Sequence, residues 1–340
     1  MRSLPMFRMM NTHYFAGTIC VVVACSASLA AFANPAPTQD EAAKKTAAQV
    51  LDDAIASLTK YSSIQADLHE TVSMGTRRFT AKGSYVQGPN NQLRLNLEIN
   101  PVEEVAAPAE GEKKAAPGDT KKKSNSVLQV SDGRMLWTQW TLDGKSRVER
   151  RDIQEITKAL AGSKRWTPQQ LLSDMGLGGV PALLTSMKKR MDFKGVRTEE
   201  IDGKQFVVVQ GRWNQTQLRV FNANPAESDP ILDSFLPEYV RVFFEKETLF
   251  PCRIMFLKRH PNPKTRTARP LVTLDLTNRV LNGDIDPEQF RFDGNAQDQT
   301  DITEQLIKAM KGQAAQAEQM KAAFARQRQQ QQQAQPKPGG

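Results

Sequence analysis

Leu93, Leu95, Leu97 and Ile99 alternate with Arg94, Asn96 and Glu98. A period of two is a β-strand with one apolar and one polar face. The chain must therefore build a sheet with one side on a core or a cavity, and a slip of one residue would turn every leucine toward water. Gly88-Pro89-Asn90-Asn91 is the turn that leads into this strand. Residues 64–74 and 77–86 alternate before it. Residues 128–140 then read as a hairpin, because Asp132-Gly133 accepts the positive φ angles of a tight turn. In its return strand Met135 and Trp137 face one way, and Leu136 and Trp140 the other, so that strand is covered on both sides. A central strand of an ordinary core and a ligand-facing strand both fit that pattern.

The other elements follow the same logic. Over 38–60 the residues Ala43, Ala47, Val50, Leu51, Ala54, Ile55 and Leu58 recur at helical spacing and predict one amphipathic helix. Residues 101–125 are rich in Ala, Pro, Glu and Lys without apolar period, and read as a disordered insertion between neighbouring strands. A strand over 146–153 follows. A helix then starts at Trp166-Thr167-Pro168, with Thr167 as cap and proline in the first turn. Gly176-Leu177-Gly178-Gly179-Val180-Pro181 precedes a short apolar helix over 182–187. Glycines beside a sticky helix suit a movable lid, and suit a plain connector packed on the sheet equally well. Strands over 193–198, 205–210, 217–221, 239–245, 250–258 and 271–281 complete the set. Successive antiparallel strands with short turns predict one strongly curved sheet. A helix over 301–328, polar beyond Met310, and a Gln-rich tail close the chain.

The first 33 of the 340 residues carry Arg2 and Arg8, an apolar run over 14–32 and Ala31-Phe32-Ala33, the pattern of a cleaved signal peptide. A single domain over 34–300 is then expected. Val22-Val23-Ala24-Cys25 also resembles a bacterial lipobox, so lipidation at Cys25 competes with cleavage after Ala33. Both readings export the protein, to the periplasm or to a membrane anchor. Cleavage after Ala33 leaves only Cys252, among apolar neighbours, so no internal disulfide can form. The formal charge of +9 falls by two with the leader, and an exported basic chain is an improbable partner for nucleic acid.

No catalytic or metal constellation stands out. His69 and His260 lack partners at ligand spacing, Gly176, Gly178 and Gly179 lack the lysine of a phosphate loop, and Asp284, Asp286 and Glu288 lack the glycine and final glutamate of a calcium loop. Neither a metal nor a cofactor is implied.

Three stretches resemble the periplasmic lipoprotein carriers of the LolA type. Tyr61-Ser62-Ser63-Ile64-Gln65-Ala66-Asp67-Leu68 is similar to that family's opening strand. Val130-Ser131-Asp132-Gly133-Arg134-Met135-Leu136-Trp137 is similar to its V-S-D-G-K-x-L-W hairpin, and residues 277–292 resemble its last strands and closing D-P-x-x-F-x-F. The resemblance implies a mainly β fold with helices, an unclosed antiparallel β-barrel covered by helices. It also implies a monomeric, non-enzymatic carrier that shields the acyl chains of lipoproteins between an inner-membrane donor and an outer-membrane acceptor. Leu93, Leu95, Leu97, Trp137, Leu183 and Leu184 would line or cover the cavity. The family's carriers keep a basic residue before the proline that opens the third strand, to help hold the lid. Here Gly88 stands there, which leaves Arg94 and Arg134 as latch candidates. An envelope-stress sensor of the same fold, or an acceptor anchored at Cys25, are the alternatives.

Overall fold

A computed structural model describes residues 45–74, 77–104, 125–162, 171–173, 175–214, 236–260, 267–294 and 299–333. The leader with Cys25 and Ala33, most of the insertion, the expected strand at 217–221 and the helix start at Thr167-Pro168 lie outside them.

Helix α1 (Ala47–Leu58) starts after the capping residue Thr46, and the earlier part of the predicted helix, 38–44 with Ala43, lies outside the described residues. Thr46 and Gln49 form a capping box, with the Gln49 N–H on Thr46 Oγ1 at 3.3 Å and the Thr46 N–H on Gln49 Oε1 at 2.8 Å. Three antiparallel strands follow, β1 (Ile64–Met74), β2 (Arg77–Gln87) and β3 (Gln92–Glu104). Because β3 reaches Glu104 and β4 (Asn125–Asp132) starts at Asn125, the ends of the expected insertion are strand. β5 (Met135–Leu142) and β6 (Lys145–Asp152) continue the meander, their turn built by Asp143 and Gly144, both at positive φ.

Ile153, expected as strand, instead opens helix α2 (Ile153–Leu160). The Asp152 side chain accepts the Glu155 N–H at 2.9 Å and caps it, and Ile153, Ile156 and Leu160 bury one face. Helix α3 (Gly179–Arg190) leads into β7 (Met191–Ile201), β8 (Lys204–Trp213), β9 (Tyr239–Glu245), β10 (Pro251–Arg259) and β11 (Ala268–Leu281). A 3₁₀ turn (Pro287–Phe290), the short strand β12 (Gln299–Asp301) and helix α4 (Thr303–Gln333) finish the chain.

All strands join one sheet in the order β12-β6-β5-β4-β3-β2-β1-β11-β10-β9-β8-β7. The sheet does not close, since β12 and β7 are its two edges. β12 departs from the antiparallel expectation: it pairs parallel with β6, which requires the chain to cross from β11 over several strands. That crossing is a strap on the outer face. Arg94 donates to the Gln289 carbonyl at 3.0 Å, Trp137 stacks on Phe292 with centroids 5.8 Å apart, and the Trp137 indole N–H donates to Gln299 Oε1 at 3.1 Å. Phe290 is buried, and a Cβ at Gly88, just after β2, would come within 2.8 Å of its ring. The glycine in place of a basic residue before Pro89 thus gives the strap room to lie close.

The main core occupies the other face. Leu93, Leu95 and Leu97 are buried there with Ile64, Ala66 and Leu68 of β1 and with α1, α2 and α3, as the alternation requires. Of α4, Met310 joins this core, whereas the described side chains beyond Lys311 are exposed apart from half-buried Ala314. Removing everything after Lys311 should therefore move the melting transition by no more than about 2 °C. A larger fall in a thermal scan would show that α4 packs along its whole length.

Candidate functional site: a lidded apolar cavity

Leu68, Tyr85, Leu93, Leu95 and Gln129 from one half of the sheet line a cavity together with Leu274, Phe256, Trp213 and Met191 from the other. Gln129 on β4 and Met191 on β7 are eight strands apart in the sheet order, so the sheet curls far enough for its two halves to face one space. The roof is residues 171–190, which contribute Leu177, Val180, Leu183 and Met187. With the roof down the cavity measures ≈ 80 Å³, room for roughly half a dozen water-sized groups.

The roof is built to sit on the sheet without its own cap. Gly176, Gly178 and Gly179 all have positive φ, which turns the chain sharply between the short helical segment at 171–173 and α3. Gly178 is the N-cap of α3 and offers no side chain. The missing acceptor comes from β2: the Val180 N–H donates to Tyr85 Oη at 3.1 Å, and the Tyr85 hydroxyl donates in turn to Gln87 Oε1 at 2.6 Å. Burial pushes the Tyr85 phenol up, so it stays a donor. A Cβ at Gly179 would lie 2.0 Å from Gln87 Oε1 and 2.2 Å from Tyr85 Oη, so only glycine lets the helix end approach this pair. An exposed Lys188–Asp52 ion pair ties the far end of α3 to α1.

Of the residues expected at the cavity, Leu93, Leu95 and Leu183 line it. Leu97 and Leu184 are fully buried in the surrounding core. Trp137 does not reach it. Leu136, Thr138 and Trp140 take the inner face of β5, and the alternation sends Trp137 outward onto the strap. The tryptophan of the cavity is Trp213, whose indole N–H is held by the Pro237 carbonyl at 3.0 Å. Neither latch candidate touches the lid. Arg94 holds the strap, and exposed Arg134 pairs with Asp152 at 3.6 Å. Tyr85 and Gln87 do that work, and their positions 85 and 87 on the inner face of β2 were the available signal.

A second residue that the pattern could have found is Glu70. It follows Ile64, Ala66 and Leu68 on the inner face of β1, where a carboxylate is out of place, and it is only 5% exposed. Burial holds its carboxyl up at about 7. Elsewhere, half-buried Cys252 lies 3.6 Å from the Phe250 carbonyl, and burial pushes its thiol up, away from the reactive thiolate. Among the described residues, no three His, Cys, Asp or Glu side chains gather as a metal site would require.

Fold and cavity define a class: a mainly β, unclosed antiparallel half-barrel under helices, of the kind that the lipoprotein-carrier resemblance implied. No family model matches the chain, and no curated protein resembles it in sequence. Among solved structures it is similar to the Mycobacterium tuberculosis lipoprotein LppX, with 10% identity over 70% of this chain and 96% of that one and a TM-score of 0.34. It is also similar to an outer-membrane lipoprotein-sorting domain from Vibrio parahaemolyticus, with 9% identity, 72% and 95% coverage and a TM-score of 0.29. A third is MucB, with 12% identity, 73% and 63% coverage and a TM-score of 0.34. Likenesses this weak say nothing of what this chain binds.

Proposed function

We propose that the protein is an exported carrier that shields acyl chains, those of lipoproteins in the first place, under the 171–190 lid. The observation behind this reading is the lidded apolar cavity itself. Its walls offer leucines, a phenylalanine and a tryptophan, and its roof turns on positive-φ glycines and is tied by the Tyr85–Gln87 relay at one end of α3 and the Lys188–Asp52 pair toward the other. The cavity as it stands, ≈ 80 Å³, is too small for an acyl chain, so binding requires the lid to lift. Each methylene taken from water contributes about 0.8 kcal/mol, so about ten give ~8 kcal/mol, micromolar affinity before ordering costs. The leader pattern at 1–33 supports export, with a periplasmic product or a Cys25-anchored one. Carriage between an inner-membrane donor and an outer-membrane acceptor is the role that fits an exported, lidded acyl binder.

Leu183 tests this reading, because it lines the cavity from the lid yet is only half-buried, so a charge there is compatible with folding. A fluorescent acyl probe should bind the wild-type protein saturably, and Leu183→Glu should weaken it at least about tenfold with the melting transition retained. Absence of saturable binding to wild type would end the carrier reading.

A further inference from the structure

Glu70 is not itself in the cavity lining but sits next to two residues that are. In the sheet register Glu70 pairs with Leu274 on β11 and with Ala81 on β2, and Leu68 precedes it by two residues. Leu68 and Leu274 both line the cavity. Directly opposed same-face side chains stand about 5 Å apart at Cβ, so the Glu70 carboxyl lies at the margin of that space. Among the described residues no hydrogen bond or ion pair reaches Glu70, and its carboxyl oxygens keep a small contact with solvent. Its same-face neighbours Leu68, Val72, Ala81 and Leu274 are apolar, while the charged Lys82 and Asp275 on the adjoining strands point to the outer face. Desolvation alone accounts for its titration, with no charge from β1, β2, β11 or the helices contributing. A carboxyl this little exposed and without a protein donor leaves its hydrogen bonds to solvent or to a bound molecule, and beside a cavity a ligand head can take the solvent's place.

Resting on the carrier reading above, we propose that Glu70 is the polar anchor of the site and selects acyl ligands whose head is a hydrogen-bond donor, an amine or a hydroxyl, over those with a carboxylate or phosphate head. With the chain laid along Leu68, Leu274 and Leu276, a donor head at Glu70 satisfies the carboxylate, and an ammonium also neutralises it. An anionic head in the same place meets like charge beside a largely buried carboxyl. Arg190, the cation of the lining, belongs to the lid's end beside β7, four strands from β11, and has an interaction of its own. It therefore does not serve the Glu70 end.

The test is displacement of a fluorescent acyl probe from the full-length protein at pH 8 by decylamine, decanol and decanoate, in wild type and Glu70→Gln. In wild type, decylamine should displace at a concentration at least about tenfold below decanoate, with decanol between them. In Glu70→Gln, decylamine and decanoate should converge. Repeating the wild-type series at pH 6, where decanoate is still mostly ionised, needs no variant: protonating Glu70 should shrink the amine preference. If the probe binds saturably but amine and carboxylate compete equally, or if the preference survives in Glu70→Gln, the Glu70 assignment is wrong and the carrier reading stands. If no acyl probe binds wild type, the carrier reading falls and this assignment with it.

Discussion

Glu70→Gln should be more stable relative to wild type at pH 8 than at pH 4, by about 3 kcal/mol. The sign follows from the direction of the shift. A carboxyl raised from 4.5 to about 7 in the folded state binds its proton more tightly there than in the unfolded chain. Wild type therefore carries no penalty below about pH 4.5, loses stability as pH rises from there to about 7, and keeps the full cost above it. Glutamine does not titrate, so the difference between the two unfolding free energies, measured by urea titration across pH, isolates this group. A flat difference would mean that the Glu70 carboxyl is hydrated in the folded protein. A stability cost kept at one buried position is what a binding residue would show.

Gly179→Ala should open the lid without unfolding the sheet. The φ of +60° disfavours a Cβ by about 1–2 kcal/mol, and displacing Tyr85 and Gln87 leaves the Val180 N–H without its acceptor for about 1–3 more, on the order of 3 kcal/mol together. That cost falls on the lid, so hydrogen exchange in α3 should speed up on the order of a hundredfold while β1, β2 and β11 keep their protection. Tyr85→Phe removes the acceptor alone and should show the same pattern with a smaller effect. Equal loss of protection across sheet and lid would show that α3 is an integral part of the core and not a separate moving element.

Much of the sheet was legible because period-two alternation is a local property. Leu93, Leu95 and Leu97 announced the dry side of β3, and Asp132-Gly133 marked a hairpin that the structure forms. What failed did so for identifiable reasons. Alternation says that Trp137 and Leu136 face opposite ways but not which side is the cavity, and a strap from more than a hundred residues later was needed to cover Trp137. The parallel β12 and its crossing have no local signature. The lid latch joins Tyr85 to Val180 across 95 positions, so no spacing rule could find it. Two signals were present and passed over: Asp152 capping Ile153, Ile156 and Leu160, and Glu70 breaking an apolar face.

Single-tryptophan variants settle where a bound chain lies. With the other tryptophans changed to phenylalanine, one variant keeps Trp213, which lines the cavity, and another keeps Trp137, which stacks on the strap. Brominated acyl chains quench indoles that they touch. Trp213 emission should be quenched saturably as the chain enters, and Trp137 emission should stay unchanged. Quenching of Trp137 with Trp213 unaffected would place the lipid on the outer face and contradict the cavity as the site of acyl binding.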